Sequence, residues 1–153
     1  NSLLIKEILQ NTKTIAMVGV SSVREDVPNE TIIRRPSNIV MKYLQEFGYK
    51  VYPVNPFSKE KLIHGEKVYG KIEDIPDKID LVNVFRPSKE TPVIAKESVK
   101  IGTKVLWLQY GIHSIESKKI AESEKILYIS NKCIKQEYQK LFLKMSPVFP
   151  VAQ

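Results

Sequence analysis

The sequence predicts an α/β fold built as an open parallel sheet with helices on both faces, in a single domain. Three observations carry that expectation. Ile15, Ala16, Met17 and Val18 form a continuous apolar run, the pattern of a parallel strand covered on both sides rather than the alternation of a half-solvated one. Such runs alternate along the chain with segments of helical periodicity, the order of repeated β-α units. The length of 153 residues with 42% hydrophobic content suits one domain with one real core. Neither an internal repeat nor a second domain emerges; the expected domain covers residues 1–145, followed by a loosely docked tail over 146–153 with two prolines.

In order, Ser2 precedes Leu3, Leu4, Ile5, Ile8 and Leu9, a helical spacing that predicts a short helix to Asn11 packed on the sheet edge. A strand over 13–18 follows. Ser37 is read as the cap of the next helix, whose inward face is expected to carry Ile39, Val40, Tyr43, Leu44 and Phe47 before Gly48 stops it. The second strand spans 50–54 and leaves through Pro53, Val54, Asn55 and Pro56, where two prolines stiffen the exit. Residues 64–70 read as a loop with a very short strand, followed by one helical turn near 73–75. A third long strand spans 80–85. Thr91 then caps a helix with Pro92 in its first turn, ending at Gly102. Strands over 104–108 and 125–129 flank a helix capped by Ser114, and a last helix from Ile134 turns Tyr138, Leu141 and Phe142 inward.

Charge bounds the partners. Twenty-four Lys and Arg against seventeen Asp and Glu give +7, which attracts anions, but the basic residues are spread along the chain without the aromatic interleaving of a single-strand binding face. A solvated surface and an anionic small ligand are therefore expected, and no nucleic acid. No apolar run approaches the roughly 20 residues that span a bilayer, and the first residues lack a signal-peptide pattern, so the expected location is the cytoplasm, with no membrane contact. Cys133 is the single cysteine and makes no internal disulfide. His64 and His113 have no second ligand at metal spacing, and no Ser/His/Asp set or paired carboxylates stand out. Binding is expected rather than catalysis.

The candidate site begins at Gly19, Val20 and Ser21, where the first strand turns toward a helix. Helix N-termini and small-residue turns hold phosphates through backbone N–H groups and the dipole. Only one glycine of the dinucleotide fingerprint G-x-G-x-x-G is present, with Ser21 at the second position, so a plain turn remains an equal reading. Residues 23–34 form a polar, insert-like stretch read as a mobile flap. At the end of the second strand, where NAD-binding folds place a carboxylate for the ribose, stands neutral Asn55, with Lys59 and Lys61 beyond; an Asx turn before Pro56 is the alternative. Ligand crevices in open sheets lie beyond the carboxyl ends of strands, which adds Phe85, Arg86 and Gln109.

Taken together, Val18-Gly19-Val20-Ser21, Arg35-Pro36-Ser37, Pro53-Val54-Asn55-Pro56, Val84-Phe85-Arg86, Trp107-Leu108-Gln109-Tyr110-Gly111 and Asn131-Lys132-Cys133-Ile134 resemble the single-domain CoA-binding protein family, itself similar to the N-terminal CoA-binding domain of the succinyl-CoA synthetase alpha subunit. The resemblance implies a Rossmann-like fold that holds coenzyme A or an acyl-CoA by its nucleotide end. It implies that Gly19, Val20 and Ser21 contact the pyrophosphate with Arg35 and Ser37 nearby, that Asn55, Pro56 and Lys59 meet the ribose and its phosphate, that Phe85 and Arg86 border the adenine or diphosphate, and that Gln109 and Cys133 line the far wall. The chain departs from the family pattern in the length of residues 23–34. An NAD(P)-dependent enzyme or a nucleotide-sensing module on the same fold is the competing expectation.

Overall fold

Five parallel strands with β-branched and aliphatic side chains on both surfaces give a sheet that must be covered twice, and the computed structural model, which describes residues 1–21 and 36–144, has that architecture. Strands β1 (Thr14–Val18), β2 (Lys50–Val54), β5 (Leu81–Val84), β6 (Val105–Leu108) and β7 (Leu127–Ile129) are arranged in the order β2-β1-β5-β6-β7, all parallel. A small antiparallel hairpin, β3 (Leu62–Ile63) with β4 (Glu66–Lys67), lies in the connection from β2 to β5. The expected flap over 23–34, Arg35 and the tail over 146–153 lie outside the described residues.

Alternation along the strands divides the core in two. Ile15, Met17, Val51, Leu81, Val105 and Trp107 face one side with residues of α1 (Ser2–Asn11), α2 (Pro36–Glu46) and α5 (Ile134–Tyr138). Ala16, Val18, Val54, Val82, Val84, Leu106 and Leu108 face the other with residues of α3 (Thr91–Ile101) and α4 (Ile115–Ser123). Trp107 is fully buried in the first cluster, and its indole N–H donates to the Lys132 carbonyl at 2.8 Å, so this large apolar area is gained without an orphaned donor.

From β1 the chain moves to β2 through α2 on one face, whereas β5 passes to β6 through α3 on the other. The strand order therefore reverses between β1 and β5, and the carboxyl ends of those strands splay helices apart to leave a crevice. Pro53 sits in β2, an edge strand. The Pro53 carbonyl accepts from Tyr69 N at 2.9 Å and Asn55 N donates to Tyr69 O at 2.8 Å, so odd-numbered backbone groups point outward. The missing proline donor thus costs no bond to β1.

Several local expectations change. Asn1 caps α1, accepting from Leu3 N and Leu4 N at 2.9 and 3.3 Å, and α1 packs on a sheet face beside α5 rather than on an edge. Helix α2 buries Val40, Met41 and Leu44 with Ser37 and Asn38, while Ile39 and Phe47 remain 43% and 40% exposed. Thr91 does not cap α3: a 3-10 turn, Ser88–Glu90, precedes it, so the Thr91 hydroxyl donates back to the Ser88 carbonyl at 2.8 Å and meets Ser117 Oγ of α4 at 2.7 Å. Ser114 does cap α4, accepting from Ser117 N. After α5 the helix widens into a π-helical turn, Gln139–Leu143, which sets Leu141 and Phe142 against the first cluster.

Candidate functional site

The crevice starts with a steric requirement. Gly19 follows β1 with φ +96, and a Cβ there would lie 2.9 Å from Arg86 Cδ and 3.0 Å from the Phe85 carbonyl oxygen. The backbones leaving β1 and β5 pass at this point, held by Phe85 N donating to Val18 O at 2.8 Å, while Gly19 N donates to Val54 O of β2, also at 2.8 Å. A glycine is thus needed for both conformation and space. Ser37 lies within the first turn of α2 instead of capping it, and its Oγ accepts from Ser21 N at 3.1 Å. The amides of Gly19 and Ser21 are therefore both spent within the protein, and the helix start is pinned to the turn.

Asn55 fastens the neighbouring strand exit. Its Nδ2 donates to the Val20 carbonyl at 2.9 Å and its Oδ1 accepts from Phe57 N at 2.9 Å. The second bond makes the Asx turn weighed from the sequence; the first ties the end of β2 to the turn after β1.

Between these exits and α3 lies a cavity of about 410 Å³, within the usual size of small-molecule sites. Gly19, Asn55, Pro56 and Arg86 line it, so four of the residues singled out from the sequence meet in one place. Val18, Val54, Phe57, Ile72, Val93 and Ile94 supply an apolar wall, and Lys71, Lys89, Glu90 and Glu97 supply charge. Arg86 donates through Nε to Glu90 Oε1 and through Nη2 to Glu90 Oε2, each at 3.0 Å. That hydrogen bonding, with the Arg86 and Lys89 charges, holds the Glu90 carboxyl below its ordinary range. Glu97 is displaced the other way: partial burial raises its pKa and nearby Glu73 adds to this, against Lys71 and Lys100.

The other sequence candidates fall elsewhere. Val20 is fully buried, its side chain in the first core cluster, and Phe85 packs partly buried against that cluster. Lys59 is exposed and outside the cavity lining. Gln109 and Cys133 do not line this cavity either. Gln109 is 8% exposed at the end of β6, and its Oε1 has no hydrogen-bond partner among the described residues; Cys133 occupies the N-cap of α5 and packs half-buried against the first cluster. These two residues belong to a second corner of the same sheet end, near the entry to α5. Arg35 lies outside the described residues.

Sequence reasoning missed the α3 side of the cavity. Glu90, Val93, Ile94 and Glu97 recur at intervals of three and four, which places them on one helix face, but two charges in that row read as solvent positions. Among the described residues no group of three His, Cys, Asp or Glu is placed to hold a metal ion, and no helix is long and apolar enough to cross a membrane.

Comparison with known proteins gives this geometry a context. The family model described as a CoA binding domain matches residues 13–139. The protein YneT of Bacillus subtilis, described as uncharacterized, is 38% identical over 131 residues, covering 86% of this chain and 89% of that protein. The alpha subunit of an ADP-forming acetate–CoA ligase of Pyrococcus furiosus is 32% identical over 126 residues, covering 76% of this chain; the chain spans 25% of that subunit. A solved structure of a hypothetical protein from Pyrococcus horikoshii superposes with a TM-score of 0.81 at 39% identity, covering 92% of each chain.

Proposed function

Since this chain belongs to the CoA-binding domain family, we propose that it binds coenzyme A, or an acyl-CoA, through the nucleotide end of the molecule, and that its role is binding rather than catalysis. The observation that carries the reading is the cavity at the β1/β5 reversal, with apolar walls from Val54, Ile72 and Ile94 and with cationic Arg86 after β5 and Lys89 in the 3-10 turn before α3. A planar base needs the first and phosphate groups need the second. In this reading the adenosine lies along α3 and the diphosphate crosses the sheet end near Gly19 to Ser21 and the start of α2. The pantetheine arm then continues toward the corner of Gln109 and Cys133, where Gln109 Oε1, without a partner among the described residues, is an acceptor suited to an amide N–H.

An NAD-type ligand fits less well. The residue after β2 is neutral Asn55, and both ends of its side chain are engaged by backbone, which leaves no carboxylate for a ribose diol at that place. Calorimetric titration with CoA, dephospho-CoA, NAD and NADP tests the proposal. Saturable one-to-one binding of CoA, with NAD and NADP at least about tenfold weaker, supports it; preference for a nicotinamide nucleotide removes it.

A further inference from the structure

Resting on the reading just given, we propose that Glu97, with Lys71 beside it, reads the edge of the adenine base and makes this cavity selective for adenine over 6-oxopurines. The cavity runs along α3. Of its cationic residues, Arg86 after β5 and Lys89 in the 3-10 turn before α3 lie next to Glu90, and Glu97 lines it as well, seven residues further along. At 1.5 Å per residue that is about 10 Å down the helix axis, the distance that separates the 5′-phosphate of an adenosine nucleotide from the amino group of its base. Between the two polar ends the α3 wall is Val93 and Ile94, one helical turn of apolar surface for the flat ring. Phe57 and Val93, 80% and 62% exposed, are the apolar side chains at its mouth that such a ring would cover.

The far end has a defined hydrogen-bonding sense. A carboxylate only accepts and an ammonium only donates. Adenine sets an N–H donor, its exocyclic amino group, beside a ring-nitrogen acceptor on either side. Glu97 accepts from the first and Lys71 donates to the second. Glu97 suits this task because burial and Glu73 both disfavour its charge, and a ligand N–H donated to the carboxylate offsets that cost. Hypoxanthine and guanine put a carbonyl oxygen where the amino group stood and a proton on the neighbouring N1, so that in the adenine pose Glu97 faces an acceptor and Lys71 a donor. A site built to hydrogen-bond one edge rejects the altered edge because its own polar groups are then left unpaired.

The test is titration of the full chain with CoA and with its analogue carrying hypoxanthine in place of adenine, on the wild-type protein and on Glu97→Gln and Glu97→Ala, each variant checked by thermal melting. The wild-type protein is expected to prefer the adenine form by about tenfold. Glu97→Gln, whose amide can turn to accept or donate, is expected to bring the two within about threefold, and Glu97→Ala to do the same with weaker binding of the adenine form. Equal affinity of the wild-type protein for the two forms overturns the inference while leaving CoA binding intact, as does undiminished preference in folded Glu97→Gln. Failure of the wild-type protein to bind either form overturns the functional reading beneath it, and this inference with it.

Discussion

Arg86 and Glu90 hold one another in a two-pronged ion pair across the mouth of the cavity, Nε to Oε1 and Nη2 to Oε2 at 3.0 Å each. The guanidinium fork that suits a phosphate is therefore already engaged by a carboxylate of the protein, and an anionic ligand must displace Glu90 or share Arg86 with it. Glu90→Gln removes the competitor's charge. Because both side chains are more than a third exposed, such a pair is worth about 0.2–1 kcal/mol. CoA affinity is expected to rise by no more than about fivefold at low salt, read by calorimetry. Weaker binding by the variant would show that Glu90 positions Arg86 for the ligand instead.

The same pair sets an acid response. Glu90 has its folded-state pKa below 4.5, so the stabilisation it gives is complete above the unfolded value and is lost as the pH falls through the lowered one. Between pH 7 and 5 the pair is intact and its effect on ligand affinity is flat. Affinity measured at pH 7, 6 and 5 should show no step from this group, and a step there that survives in Glu90→Gln would belong to another residue.

Charge at the rim also predicts a ligand series. CoA should bind more tightly than dephospho-CoA at low ionic strength, because Lys89 lines the cavity and Lys59 lies exposed beyond Asn55. The difference should narrow toward 1 M salt, where screening acts over about 3 Å. Identical affinities at low salt would mean that no basic side chain meets the additional phosphate.

Gly19→Ala tests the crossing of β1 and β5. The new Cβ meets backbone at the Phe85 carbonyl, 3.0 Å away, in a residue held at φ +96. Strain of about 1–3 kcal/mol is expected, a fall in melting temperature of roughly 3–10 °C. The atoms a side chain here meets first are those of the protein rather than of a ligand. Scanning calorimetry without ligand separates the two, since a loss of affinity at unchanged melting temperature would restore the ligand as the obstacle.

Tyr49 gives an alkaline counterpart. Its hydroxyl donates to the Leu9 carbonyl at 2.7 Å, and burial, with Tyr138 nearby, raises its pKa to about 12. A raised phenol pKa stabilises the fold fully below the unfolded value of 10, and that contribution is lost as the pH climbs through 12. Tyr49→Phe should cost about 1 kcal/mol at pH 8. In urea titrations, its deficit against the wild-type protein should shrink by pH 11.5.

The strands were legible because apolar continuity has few competing explanations: β2 occupies residues 50–54 as read, and Gly48 with φ +97 ends the preceding helix. Helix faces were less so. With apolar residues at 39, 40, 41, 43, 44 and 47, α2 offers overlapping stripes, and tertiary packing chose Met41 over Ile39 and Phe47. Single-residue polar roles were hardest to read. A serine at 37 and a threonine at 91 both suit a cap, but their hydroxyls bind Ser21 N and Ser88 O because of how the chain enters each helix. At the site, the positions Gly19, Asn55, Pro56 and Arg86 could be found from strand ends, whereas the cavity's other wall, in particular Glu97, depends on which side of α3 turns toward β2.

The outward-facing Pro53 also limits how copies of this protein can associate. A sheet extends sideways by pairing an unprotected margin with another strand. At β2 one outward position has no donor, and the next acceptor and donor, Pro53 O and Asn55 N, are both occupied by Tyr69. Sheet pairing from molecule to molecule is therefore blocked at residues 53–55 of this margin.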